Sequence, residues 1–262
     1  GNLMANLVAH WKLEEATGTR IDSVGANNLT DNNAVTGAVG RIDSACQFIA
    51  SSSQFLSIAD NADLSAGDID FTVSAWLYLD TDPAGIFAAL GKGDDTNFNN
   101  TLEYALRYHG GAVDRFRFFV GNGVDGDVVN ADSLGAAATG TWYFVVGWHD
   151  ATLNTINIQV NNGAADSGSY ASGSFDSNSM FTIGRQGGFS GQYWNGRIDE
   201  VSFWRRALTA RERTDLYHST SGNRFQTDFA SARLDQVAFW RKALVNQEVL
   251  DLWNGGGANQ YQ

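Results

Sequence analysis

The carboxylates, histidines and aromatic residues of this 262-residue chain form few patterns able to do chemistry. Asp199 and Glu200 are adjacent. On a strand such neighbours project to opposite faces, so they are not expected to flank one glycosidic bond. The four histidines, His10, His109, His149 and His218, are scattered. No G-x-S-x-G elbow is present, because Gly188-Phe189-Ser190-Gly191 runs on into Gln192. Gly121-Asn122-Gly123-Val124-Asp125-Gly126 has the letters of a dinucleotide-binding turn. The following Asp127-Val128-Val129-Asn130 does not open a helix, so a hairpin turn is expected. Catalysis is therefore not expected. What remains is aromatic. Phe189, Tyr193 and Trp194 lie in a Gly-rich stretch between strands, and Tyr104, Tyr108 and His109 lie in a second segment beside Phe98. Aromatic rings dock the apolar faces of sugars while polar groups fix orientation. Phe189, Tyr193, Trp194, Tyr104 and Tyr108 are the candidate ligand-binding residues, with core packing as the competing expectation.

The elements that must position them read as strands. Phe71 to Leu79 alternates, with Phe71, Val73, Ala75, Leu77 and Leu79 on one face and Trp76 and Tyr78 on the other. Arg115-Phe116-Arg117-Phe118 alternates with arginines outward, and Thr155 to Val160 alternates as cleanly. Further strands are expected at Leu56–Ile58, Ile86–Leu90, Glu103–Tyr108, Trp142–Trp148, Phe181–Ile183 and Arg197–Trp204. Gly110-Gly111, Asn122-Gly123, Asp125-Gly126 and Asn162-Gly163 are turn signals between them. The spacing predicts an all-β, two-sheet antiparallel jelly-roll sandwich of about 12–14 strands. One or two short C-terminal helices are expected, over 210–217 and 247–253. Thr209 and Glu212 fit a capping box before the first.

Those helices belong to a duplication offset by 36 residues. Residues 197–225 and 233–261 share 12 identities, among them Arg197, Asp199, Val201, Phe203, Trp204 and Glu212 with their partners. Each unit is too small to bury its own apolar face. The expected organisation is a sandwich over 1–225 and an appendage over 226–262, packed on the sandwich or on a neighbouring chain.

Several segments, in order, resemble the LamG-like jelly-roll domains of the concanavalin A-like lectin/glucanase superfamily. They are Leu7 to Glu15, Asp22 to Asn27, Phe71 to Trp76, Trp142 to Val146, Val160 to Gly163, Phe181 to Arg185, and Gly196 to Val201 with Arg206 to Thr209. The resemblance implies the sandwich fold. It also implies a structural calcium ion held by Asp22, Asn27 and Asp199, hard oxygen donors of the kind calcium takes. The turns Gly93 to Asn97 and Asp125-Gly126-Asp127 are alternative acidic sites that ordinarily stay solvated. The superfamily's glucanases carry an E-x-D-x-x-E strand, and no such triplet occurs here.

Composition narrows the partners. The chain has 17 basic and 29 acidic side chains, a net charge of −12, which argues against nucleic acid. The single Cys46 excludes an internal disulfide framework. No apolar run is long enough to insert in a membrane, and no signal peptide is recognised at the start. The expected function is a non-catalytic carbohydrate-recognition or adhesion module with a glycan or glycosylated surface as partner. The expected setting is extracellular, on a cell surface or on a virion. A structural protein of a virus particle or cell surface, oligomerising through the duplicated segment, is the alternative. A glycan-cleaving enzyme is the third reading.

Overall fold

A computed structural model describes residues 2–93, 102–187 and 191–217. The chain divides into two compact units, 1–227 and 228–262, and all the described residues lie in the first. The second copy of the duplication, the helix expected at 247–253 and His218 therefore fall outside them.

The described residues form fifteen strands and one short α-helix. The strands are β1 (Leu7–Trp11), β2 (Thr30–Asn32), β3 (Thr36–Val39), β4 (Ser44–Phe48), β5 (Phe55–Ile58), β6 (Phe71–Leu79), β7 (Ile86–Gly93) and β8 (Leu102–His109). They continue with β9 (Arg115–Gly121), β10 (Gly126–Asn130), β11 (Trp142–Asp150), β12 (Thr155–Val160), β13 (Ala165–Ser169), β14 (Phe181–Ile183) and β15 (Gly196–Trp204). Helix α1 is Ala210–Leu216. One sheet runs β13-β12-β11-β6-β15-β4-β3 with β1 also on β15, and the other runs β10-β9-β8-β7-β14-β5-β2. Every pairing is antiparallel. The architecture is the all-β jelly-roll sandwich expected from the alternation.

Strand β1 is expected from the resemblance alone, and the strands that neither it nor alternation reveals are β2, β3, β4, β10 and β13. Four of them are short and mostly solvated, and β2, β3, β10 and β13 close the sheet ends. Edge strands bury little, so their sequences carry little hydrophobic periodicity.

The core between the sheets takes Phe71, Val73, Ala75, Leu77 and Leu79 from β6, Tyr104, Leu106 and Tyr108 from β8, and Phe116, Phe118 and Val120 from β9. The other face of β6 and β11 carries a second apolar cluster of Trp76, Phe144, Val146 and Trp148. Leu216 and Tyr217, at the end of α1, pack on it, and Tyr217 stacks on Trp76 at 5.7 Å. The end of the helix thus covers part of the outer face of the first sheet.

The capping box that anchors α1 is formed. Thr209 accepts from the Glu212 backbone N–H, and the Glu212 carboxylate accepts from the Thr209 N–H at 3.0 Å. Arg206 adds two bonds to that carboxylate, at 2.8 and 3.0 Å. The Arg206 bonds hold its pKa down at about 2, from an ordinary 4.5. A depressed carboxylate contributes its stability above its unfolded pKa and loses it as pH falls toward the folded one. Thr209→Ala should cost about 1 kcal/mol, a drop in Tm of about 2–4 °C for a domain of this size. Glu212→Gln should flatten the loss of Tm between about pH 4.5 and 2. Thermal melts across that range check both.

Candidate functional site

The outer face of the seven-stranded sheet sets charged groups around a small apolar cluster that includes Ala105, Phe119 and Val128. Because Tyr104, Leu106 and Tyr108 point into the core, Ala105, Arg107 and His109 must point out. By the same alternation Phe116, Phe118 and Val120 leave Arg115, Arg117 and Phe119 outward. Arg107 lies over the Phe119 ring at 5.0 Å and donates from Nη1 to Gln186 Oε1 at 3.1 Å. Arg117 Nη1 donates to His109 Nδ1 at 2.7 Å. His109 has its pKa lowered, first by burial and then by Arg117 and Arg107. The ring is therefore a neutral imidazole with its proton on Nε2.

The segment after β14 forms one lip of this face. Gly184 has φ +85°, and a Cβ there would lie 2.4 Å from the Phe48 ring, so glycine is required. From that turn, Arg185 sits 3.9 Å over Phe55 and 5.8 Å from the Tyr193 ring. Phe55 and Tyr193 are tilted at 6.3 Å, both half-buried. This group offers an aromatic edge flanked by a cation.

The five aromatic candidates separate. Tyr193 lies at this lip, and Phe189 falls outside the described residues. Tyr104, Tyr108 and Trp194 are corrected to scaffold residues, since each is 0% exposed. Tyr104 packs among Phe71, Phe181 and Phe203 and donates to the Leu64 carbonyl at 2.7 Å. Tyr108 packs edge-on to Phe116 and bonds Asp114. Trp194 donates to the Tyr78 carbonyl at 3.2 Å. Their parity along the strand, shared with Leu106, could have shown this for the two tyrosines. Sequence reasoning missed half-buried Arg117 as a site residue, whereas Arg107, Phe119 and Gln186 are buried and belong to the scaffold with the tyrosines. The outward arginines of β9 were the available signal, and the pairing with β8 was not.

Asp22 and Asn27 do come together. Asp22 Oδ1 accepts from the backbone N–H of His10 and Val24, and Oδ2 accepts from the backbone N–H and side-chain Nδ2 of Asn27. Asp199 bonds neither. Its Oδ2 accepts from the backbone N–H of Arg41 and Ile42, both at 2.9 Å, while Oδ1 is buried without a partner. It lies beside Glu200 at a bulge of β15, where Glu200 takes φ +49°. Ile198 and Val201 both enter the core, so Asp199 and Glu200 share the side away from it. That corrects the expectation that these neighbours face opposite sides. Both are nonetheless tied into the scaffold, Glu200 Oε2 lying 3.1 Å from His10 Nε2.

Residues 50–212 match the model of the concanavalin A-like lectin/glucanases superfamily. The chain belongs to this superfamily. Among curated protein sequences no match is found. Solved structures with the same fold include domain 4 of an extracellular arabinanase from Geobacillus stearothermophilus, in complex with arabinotriose. It is 17% identical, with a TM-score of 0.61, over 82% of this chain and 99% of that one. The binding domain of Paraclostridial mosquitocidal protein 1 is 16% identical with a TM-score of 0.61, over 81% of this chain and 52% of that one. Trypanosoma rangeli sialidase with the inhibitor DANA is 15% identical with a TM-score of 0.58, over 80% of this chain and 32% of that one. The chain thus spans about half of the toxin domain and a third of the sialidase. At these identities the likeness concerns the fold. Among the described residues no helix is long and apolar enough to cross a membrane.

The calcium that the superfamily resemblance implies does not fit the donors present. A hard cation needs several oxygens facing one point. Each Asp22 oxygen instead faces two N–H groups, and Asn27 turns its Nδ2 toward that carboxylate. Among the described residues no group of three or more His, Cys, Asp or Glu converges on a metal position. Calcium added after chelation should therefore shift Tm by less than about 1 °C, whereas a site held at 100 times its Kd would add about 2.7 kcal/mol. A shift of several degrees that Asp22→Asn abolishes would restore the calcium site.

Burial makes Asp199 a weak acid, raised from 3.8 to about 8, although the Arg41 and Ile42 amides oppose the shift. A carboxyl raised in the folded state binds its proton there between the two values, so stability falls as pH rises from about 4 to 8. Asp199→Asn keeps the acceptor oxygen and removes the titration. Denaturant titrations should show a shallower loss of stability across that window in the variant.

Proposed function

We infer that the chain is a non-catalytic carbohydrate-recognition module whose binding surface is the outer face of the seven-stranded sheet. The observation that carries this reading is the makeup of that face. Half-buried His109 and Arg117 supply N–H donors, and Arg185 flanks the half-buried rings of Phe55 and Tyr193 at the lip, while Arg107, Gln186 and Phe119 are buried and serve as scaffold. Fixed donors with a neighbouring ring are what a sugar requires, since its hydroxyls accept and donate while its C–H face stacks. The groups identified there are donors and rings rather than a pair of carboxylates set to flank a glycosidic bond. The arabinotriose complex of a similarly folded domain supports the reading without fixing the sugar. The proposal includes no calcium. Its setting would be extracellular or on a cell or particle surface, where glycans are displayed.

A glycan array probed with the whole chain tests this. Binding to at least one oligosaccharide is expected, with no reducing sugar released on incubation. Tyr193→Ala should weaken it about three- to tenfold, the scale of one aromatic contact, and leave Tm close to wild type. An array without binding would overturn the reading, and so would cleavage of a bound oligosaccharide.

A further inference from the structure

This inference rests on the carbohydrate reading and concerns which part of a glycan the lip takes. Phe55 and Tyr193 meet there with their planes tilted by 49° and their centroids 6.3 Å apart. The Arg185 guanidinium lies 3.9 Å over Phe55, so that face of the Phe55 ring is already taken. The same guanidinium is 5.8 Å from the centre of the Tyr193 ring, too far to cover it as closely. The group is therefore a wedge, with the Phe55–Arg185 stack as its wall and Tyr193 as its open ring. Among the described residues the outward ring of β9 does not extend it, because Phe119 is buried.

Arg185 is held in place by its surroundings. Gly184, required by its φ of +85° and the nearby Phe48 ring, fixes the turn before it. The Arg185 Nε donates to the Gly187 carbonyl at 2.6 Å, and Nη2 lies 3.8 Å from Met180 Sδ. No oxygen among the described residues accepts from either Nη nitrogen. The side chain is half-buried, as Phe55 and Tyr193 are. Its two terminal nitrogens thus form a fixed, planar fork with donor capacity left over. Neighbouring hydroxyls of one sugar present two oxygens to such a fork, and the charge strengthens both bonds. The C–H face of the same sugar can rest on a ring. A polysaccharide lying flat along the surface would need successive rings in one plane, which a wedge of 49° does not offer. A unit seated on Tyr193 against the wall can continue into a chain on the open side alone. We propose that the lip is a one-unit subsite for the outermost sugar of a glycan, with Tyr193 under its C–H face and Arg185 binding a pair of its hydroxyls.

The test uses the whole chain on a printed glycan array in which the same disaccharides stand at the outer end of some chains and inside others, together with insoluble cellulose. A disaccharide that binds at the outer end should do so within about threefold whatever the length of chain beneath it, a spread smaller than one added contact. Covering it with a further unit should weaken binding at least about tenfold. Arg185→Lys keeps the charge and loses the fork, and should weaken binding at least about tenfold. Thr209→Ala, in the cap of α1, should lower Tm and leave binding unchanged. Comparing the two variants at a temperature where both are folded separates loss of recognition from loss of stability. Equal binding at outer and inner positions would overturn the inference while leaving carbohydrate recognition standing. Affinity that climbs with each added unit, retention on cellulose, or unaltered binding by Arg185→Lys would overturn it as well. No binding to any sugar on the array would overturn both.

Discussion

Burial of aromatic side chains between the two sheets is the constraint from which the rest of this molecule follows. Each buried Phe or Tyr removed from water contributes about 1.5–3 kcal/mol. Tyr104, Tyr108, Phe116, Phe118, Phe71 and Phe181 all lie in the one inter-sheet core. A strand has two faces and a strict period of two, so placing these rings inward sends Arg107, His109, Arg117 and Phe119 outward. A cross-strand like-charge pair costs at most about 1 kcal/mol. The core therefore wins, and the arginine pair is carried as a consequence.

The two outer faces then diverge. On the eight-stranded sheet, β6 and β11 present Trp76, Phe144, Val146 and Trp148, apolar enough to require a cover. The chain supplies one directly after β15, where the Thr209–Glu212 box and Arg206 start a helix whose last residues rest on Trp76. Arg213, stacked 4.0 Å over Trp148, completes the contact. On the seven-stranded sheet Arg115, Arg117 and His109 lie outward beside the cluster of Ala105 and Phe119, and Arg185 and Tyr193 lie at its lip. The two outer faces of the same sandwich thus differ in composition.

The signature around Asp199 shows how a motif can be read correctly for fold and incompletely for geometry. Its resemblance to the superfamily places Gly196 to Val201 on the last strand, and β15 runs through it. The bulge at Glu200 is not written in hydrophobic periodicity, because Ile198 and Val201 are three apart and each still reaches the core. That extra residue divides the neighbours of β15, with β4 alongside 196–198 and β1 alongside 201–204. Asp199, at the junction, spends one oxygen on holding the chain at Arg41 and Ile42. Gly40 is required beside it, since a Cβ there would lie 2.5 Å from the Ser44 carbonyl oxygen and 2.8 Å from the carboxylate.

By itself the sequence determined the strands with one buried face, the turns between them, the cap of α1 and the superfamily. These rest on local periodicity and on short-range hydrogen bonding, which neighbouring residues specify. It did not separate Tyr193 from Tyr104, Tyr108 and Trp194, because an aromatic side chain has the same letter at a rim as in a core. Nor did it show that Arg107 meets Arg117, or that Asp22 bonds Asn27 while Asp199 caps a different loop. Those facts depend on register between strands and on which loop returns to which edge. Tertiary structure alone decides them, since residues far apart in the chain become neighbours only when the sheets form and pack.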